Sequence, residues 1–324
     1  MAERRARVVL DAMGGDHGPA VTVPGALAAY REHGVPVVLV GRAGEIRRWL
    51  RRYGAADGVE VRHAGEVVPM TERGGHTTSR RETSLMVGCE LARREGLPFV
   101  SAGSSGAVVA SAVRAFGRRE GVRRPALAVA LPTTSGSTVL VDAGGTTDPT
   151  AEMLAQFATL GAAYARDILG VHDPVVGLLS IGSEPGKGNR LVRDAARLLP
   201  ELPVRFHGNV EGHDVLAGTV DVVVTDGFTG NIVLKNIEGC VRTVLALAAR
   251  TGTADPGTLE EVARLYAADT HGGAALLGLT GTVVVAHGSS GAAAIARACV
   301  VARDLAAEEA PAPVNGHRAA GPAS

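Results

Sequence analysis

Four short runs combine glycine with hydroxyl, carboxylate or imidazole side chains: Gly14-Gly15-Asp16-His17, Gly103-Ser104-Ser105-Gly106, Gly227-Phe228-Thr229-Gly230-Asn231 and His287-Gly288-Ser289-Ser290-Gly291. Glycine permits positive φ and close backbone approach, and successive N–H groups at a helix start make a cradle for an anion with the helix dipole behind it. Phosphate is the natural guest. Taken singly, each run is a strand-to-helix turn; together on one rim they describe a site. Lys187 stands between Gly186 and Gly188, free to neutralise phosphate or a developing oxyanion, although a solvated surface lysine is the plainer reading. It is one of two lysines in the chain, the other being Lys235. His17 and His287 border glycine runs, where each is either a phosphate donor and acid/base near neutral pH or a structural histidine. Asp11, Asp16, Asp142 and Asp226 end apolar runs, as helix caps or as orienters of a histidine or lysine.

Several other chemistries lack their signatures. Gly182-Ser183-Glu184-Pro185-Gly186-Lys187-Gly188 is one residue short of a P-loop and has glycine where the Mg²⁺-binding hydroxyl belongs. No G-x-G-x-x-G follows the first apolar run, and neither AGSSGA nor HGSSGA is a G-x-S-x-G elbow. Cys89, Cys240 and Cys299 show no C-x-x-C spacing, which predicts no disulfide framework or zinc ribbon and a reducing, cytoplasmic setting. No metal and no cofactor is expected.

The elements that must position these loops follow from hydrophobic period. β-branched runs leading into glycine turns recur in RVVLDAMGG, VPVVLVG, PFVSAGSSG, TVLVDAGG, VVGLLSIG, VDVVVTDGFTG and TVVVAHGSSG, separated by Ala/Leu/Arg stretches of helical spacing such as Ala155 to Asp167 and Arg190 to Leu199. This alternation predicts an α/β fold, with helices on both faces of a largely parallel sheet and ligands beyond the C-terminal strand ends. From Ile232 to Thr270 two helical stretches follow one another with no strand between, a hairpin whose apolar face asks for a second subunit. Residues 1–308 are expected to form a single domain, and the Pro-rich 309–324 a disordered tail.

The composition agrees. The chain has 324 residues, 46% of them hydrophobic, with 33 Lys+Arg against 33 Asp+Glu. That is enough apolar chain for a substantial core, and a net charge of zero provides no field for nucleic acid. No apolar stretch is long enough to cross a bilayer, and no secretory signal opens the sequence.

VVLDAMGGDHGP, SAGSSGA, RPALA, GLLSIGSEPGKGN, GNVEGHD, VDVVVTDGFTGNIVLK, GGAALLG and AHGSS occur in an order that resembles the PlsX family of bacterial phosphate acyltransferases, from about Val8 to Ala306. The resemblance implies a three-layer α/β/α sandwich like that of isocitrate and isopropylmalate dehydrogenases, with a projecting helical hairpin, working as a homodimer without NAD. It implies conversion of acyl-(acyl carrier protein) and inorganic phosphate to acyl phosphate and free carrier by direct attack on the thioester. Asp11, Gly14, Gly15, Asp16 and His17 match the family's first signature; Lys187 and Asn189 its K-G-N turn; Asp226, Gly227, Thr229, Gly230 and Asn231 the next; His287, Gly288, Ser289 and Ser290 the last. With the serine loop at Gly103, Ser104, Ser105 and Gly106, these are the expected phosphate- and substrate-binding residues, and Lys187, His17 and Asp226 the expected catalytic ones. The chain departs from the family pattern at Ser104, Thr146 and Thr150, where asparagine, asparagine and lysine are usual, and at Met153, usually histidine. A diverged relative acting on another acyl thioester, or a non-catalytic carrier-binding scaffold, are the alternatives these departures leave open. The hairpin tip, AARTGTADPGTLEEV, is short, polar and without lysine, which predicts weak membrane contact or none.

Overall fold

The computed structural model describes residues 7–55, 58–72, 79–134, 136–266 and 272–308. Among the described residues eleven strands form one sheet: β1 (Val8–Asp11), β2 (Val37–Gly41), β3 (Val61–His63), β4 (Phe99–Ser101), β5 (Ala126–Pro132), β6 (Ser137–Val141), β7 (Val175–Leu179), β8 (Arg205–Val210), β9 (Val222–Val224), β10 (Ala274–Leu277) and β11 (Val283–Val285). Across the sheet the order is β3-β2-β1-β4-β11-β10-β5-β6-β9-β7-β8. The pairs β11–β10, β10–β5 and β5–β6 are antiparallel and the rest parallel, so two parallel halves run in opposite directions on either side of β10 and β5.

The register decides where those halves point. Val285, the last residue of β11, pairs with Ala274; the next residue, Ala275, pairs with Ala128; and Ala128 pairs with Val141, the last residue of β6. The C-terminal ends of both halves therefore meet at one level and face each other across β10 and β5. In α/β sheets, that edge is where ligands bind.

Helices cover both faces. They are α1 (Pro19–His33), α2 (Ala43–Arg52), α3 (Ser84–Glu95), α4 (Ser105–Phe116), α5 (Ala151–Asp167), α6 (Arg190–Leu198), α7 (Asp214–Ala217), α8 (Gly227–Thr251), α9 (Pro256–Tyr266) and α10 (Ala292–Glu308). Strand residues alternate between layers, as the two-residue period requires: Val8 and Leu10 pack with α1 and α10, whereas Val9 packs with α3 and α4. In the second half Ala126 and Ala128 pack with α5 and α6, while Leu127 and Val129 face the opposite layer. Side chains of Thr83, Thr150, Asn189 and Asp226 cap α3, α5, α6 and α8 by accepting from the backbone N–H three residues on.

Three readings change. The centre of the sheet is antiparallel, through β5 and β10, which carry no β-branched run. The helix expected from Ala155 begins at Ala151, and that from Arg190 ends at Leu198, continuing as a 3₁₀ turn over Leu199–Glu201. Gly227 to Asn231 is the first turn of α8 and not a loop. The two helical stretches appear as α8 and α9; residues 267–270, at the end of the expected hairpin, and the tail 309–324 lie outside the described residues. Among the described residues no helix is long and apolar enough to cross a membrane.

Candidate active site

Two buried aspartates, one in each half, organise the facing strand ends. Asp11 closes β1. Its Oδ2 accepts from Ser101 Oγ at 2.8 Å and its Oδ1 from the Met13 N–H at 3.1 Å, while Ser101 Oγ accepts from the Gly103 N–H at 3.0 Å. The loops after β1 and β4 are thus tied to a single carboxylate. Burial pushes the Asp11 carboxyl above its ordinary value, and the hydrogen bonds from Ser84, Ser101, Met13 and Gly14 oppose that rise. Gly14 is fixed by space: a Cβ there would lie 2.8 Å from both Asp11 Oδ2 and the Gly103 nitrogen. The Asp16 N–H donates to the Gly288 carbonyl at 2.8 Å, joining the first glycine loop to the last.

Asp142 does the corresponding work in the second half. Its Oδ1 accepts from the N–H groups of Leu127, Gly144 and Gly145 at 2.9, 3.1 and 2.8 Å, and its Oδ2 from that of Thr146 at 2.6 Å. Burial again raises the carboxyl, against these backbone bonds. The loop so ordered receives α8, because the Gly227 N–H donates to the Thr146 carbonyl at 2.8 Å and Gly230 lies against the Asp142 carbonyl with no room for a methyl. Docking of that first turn sets the rotation of the helix. Asn231, Leu234, Lys235 and Glu238, at helical spacings of three and four, then face the gap between the halves.

The gap holds a cavity of about 310 Å³. One wall carries Asp16, Gly103, Ser104, Ser105, His287 and Gly288 from the strand ends of the first half; the other carries Ala143 and the inner face of α8. Leu127, Val129 and Ala274 of the antiparallel pair form an apolar floor. The start of α4 opens into this space at Ser104 and Ser105, adding the positive end of a 12-residue helix. Lys235 Nζ contacts His287 Nε2 and lies 3.3 Å from Glu238 Oε2. On the other side of the ring, Nδ1 lies 2.7 Å from Ser289 Oγ and accepts from the Ser289 N–H at 3.2 Å. Burial, and then the Lys235 charge, hold His287 below its ordinary pKa and keep the ring neutral near pH 7.

The expected site residues divide into four groups. Asp16, Gly103, Ser104, Ser105, Asn231, His287 and Gly288 line the cavity. Asp11, Gly14, Gly15, Gly106, Gly227, Gly230, Ser289 and Ser290 frame it: a Cβ on Gly15 would lie 3.0 Å from the Gly288 carbonyl, Gly106 follows Ser105 in the first turn of α4, and the Ser290 N–H donates to the His287 carbonyl at 3.0 Å. Asp226 and Thr229 cap α8, both Asp226 oxygens accepting from Thr229, from its N–H at 2.8 Å and its hydroxyl at 2.7 Å. Outside the lining stand His17, exposed before α1; Lys187, exposed in the turn after β7; and Asn189, whose Oδ1 caps α6 by accepting from the Val192 N–H at 2.9 Å. The expected ranking of the two lysines is therefore reversed by position, since Lys235 lies in the cavity and Lys187 does not. Lys235 and Glu238 were legible as the i+4 and i+7 positions from Asn231 once that residue is helical. Two departures from the family pattern also find their roles, with Thr150 capping α5 and Met153 packing on the core of the second half.

A large α/β sheet between helices is also the fold of known enzymes. The fold is shared with a phosphotransacetylase from Streptococcus pyogenes (TM-score 0.65, 19% identity, covering 93% of this chain and 94% of that one). It is shared less closely with 4-hydroxythreonine-4-phosphate dehydrogenase from Klebsiella pneumoniae (TM-score 0.52, 15% identity, 93% and 99%). The sequence is 49% identical over 313 residues to the phosphate acyltransferase of Thermobifida fusca, covering 92% of this chain and 87% of that protein, and 42% identical over 320 residues to that of an Anaeromyxobacter species, covering 94% and 89%. The model of the fatty acid synthesis protein family matches residues 6–312, and the chain belongs to that family. It is an acyltransferase.

Proposed function

We propose that the protein transfers an acyl group from the thioester of an acyl carrier protein to inorganic phosphate, in the cytoplasm, by direct attack. The observation that carries this reading is the convergence of the Lys235–His287 pair with the start of α4 in one cavity. Hydrogen phosphate binds where the Ser104–Ser105 turn and Lys235 supply N–H, hydroxyl and positive charge. A phosphate oxygen attacks the thioester carbonyl carbon, Lys235 stabilises the tetrahedral oxyanion, and the C–S bond breaks to expel thiolate. The proton carried in by hydrogen phosphate ends on the thiol, leaving acyl phosphate as its dianion. Neutral His287 suits the passage of that proton. No side chain is acylated, which accords with free cysteines of which Cys89 and Cys299 are buried.

A homodimer completes the assembly. The outer face of α8 carries Ile232, Val244 and Leu247, 50%, 63% and 44% exposed, on the side of the helix away from the cavity, and a second copy covers them. The test is phosphate-dependent thiol release and acyl phosphate formation, followed by mass spectrometry. Lys235→Ala lowers turnover about 10²- to 10³-fold, the usual loss of a preorganised oxyanion donor, whereas Lys187→Ala costs less than about tenfold. Equal losses, or the opposite order, refute the assignment of Lys235.

A further inference from the structure

A second cavity of about 240 Å³ lies between α8 and α9. It shares His287 and Glu238 with the reacting cavity, so the two spaces meet at the imidazole. Beyond that junction Val241 and Leu245 of α8 face Ala263 and Tyr266 of α9, with Arg242 and Ser289 also in the lining. Val241 and Leu245 continue the cavity-facing stripe begun by Leu234 and Glu238, opposite the face assigned to a second subunit. The groove is fixed in place, because Tyr266 donates its hydroxyl proton to the Pro132 carbonyl at 3.2 Å and pins α9 to the end of β5. Yet α9 buries none of its residues and α8 buries only Gly227 and Gly230.

We infer that this groove is the subsite for the hydrocarbon chain of the acyl group, with the thioester carbonyl at His287 and the chain running between α8 and α9. The inference rests on the acyl-transfer reading and adds what selects the acyl group. A carbonyl held beside Lys235 and His287 needs an exit with apolar walls for the carbons behind it, and Val241, Leu245 and Ala263 supply such walls in the space that meets the reacting cavity at His287. The side chains of Ala263 and Leu245, facing each other from the two helices, set its width.

The experiment uses saturated acyl-pantetheine thioesters of four to sixteen carbons with phosphate, on the wild type, Ala263→Phe and Leu245→Trp. Thermal unfolding of each variant confirms folding, and neither site lies in the buried core. In the wild type kcat/KM rises with chain length, by up to about fourfold per methylene, until the groove is full. Both variants lose that rise, by tenfold or more at the long end, while butyryl turnover stays within twofold. An unchanged length profile, or an equal loss at every length, overturns the subsite. Failure of the acyl-transfer reading itself would show as no turnover of any thioester by the wild type. In that event binding of a dansyl-labelled dodecanoate decides: a tenfold loss of affinity in both variants sustains the groove, and undiminished binding in either refutes it.

Discussion

Replacing Asp142 by asparagine sets two opposing effects against each other. On charge alone the change relieves the protein, because burial makes the ionised carboxylate unfavourable and its pKa is raised accordingly. Hydrogen bonding points the other way. Oδ1 accepts three backbone N–H groups and Oδ2 accepts one. An amide nitrogen at the Oδ1 position would face three donors, so the variant places it at Oδ2, where the Thr146 N–H is orphaned against a second donor. A buried, unpaired N–H costs about 1–3 kcal/mol, and the three surviving bonds weaken on passing from a charged to a neutral acceptor. The orphaned donor decides the sign. Asp142→Asn is expected to destabilise by about 1–3 kcal/mol, and Asp142→Ala, which orphans all the donors, by more. Urea unfolding at pH 7, with a common m-value, provides the measurement. Turnover falls as well, since the loop held by Asp142 seats the first turn of α8 and with it Lys235. An Asn variant as stable as the wild type, or more stable, would show that the buried charge outweighs its hydrogen bonds and that Asp142 is not what orders the loop.

Replacing Cys89, Cys240 and Cys299 together by alanine should leave phosphate-dependent turnover largely intact once the packing loss at the buried pair is corrected for; isolation of a stable acyl-enzyme would contradict direct attack. The depressed pKa of His287 has a defined sign in stability: the folded state takes up a proton less readily than the unfolded one, so the stability His287 contributes is present above the ordinary histidine value of about 6.5 and lost as pH falls below it. Urea midpoints of wild type and His287→Gln should accordingly differ by a constant amount above pH 6.5 and converge in acid; parallel curves throughout would show that burial and the Lys235 charge do not hold the ring below its ordinary value. At physiological salt the protein should remain in the supernatant when sedimented with anionic vesicles, because the turn between α8 and α9 presents no lysine and α9 carries Glu260 and Glu261 in its second turn. Co-sedimentation abolished by changes between residues 248 and 261 would refute the polar reading of this tip.

The strands that the sequence discloses are those with β-branched runs and glycine exits, and these are the ones whose ends make the site. β5 and β10 escape because ALAVALP and AALL are rich in alanine and leucine, residues that fit a helix as well as a strand buried on both faces. β3 and β8 escape as short or polar edge strands. Missing the central pair hides the reversal of direction between the halves, and hence which loops meet. The glycine loops were legible because their backbone demands leave a mark in residue type. Lys187 was favoured for the freedom of its flanking glycines, whereas Lys235 reads as an ordinary helical lysine until the docking of Gly227 and Gly230 fixes which face of α8 looks inward. That docking is a tertiary contact to the carbonyls of Thr146 and Asp142, with no counterpart in local sequence.

The order of strands has one more consequence. The described chain enters the second half of the sheet at β5 and returns through β10, so residues from Ala126 to Tyr266 form one continuous insert, while the remainder closes on itself where α10 packs along α1. The anion cradle at Asp16, Ser104 and Gly288 belongs to the host, whereas Lys235 and both walls of the α8/α9 groove belong to the insert. On the proposed reading, choice of acyl group is encoded in the insert, whereas the phosphate site draws on the host and, through Lys235, on the insert as well. Exchanging the insert between relatives would move one property across while leaving most of the other behind.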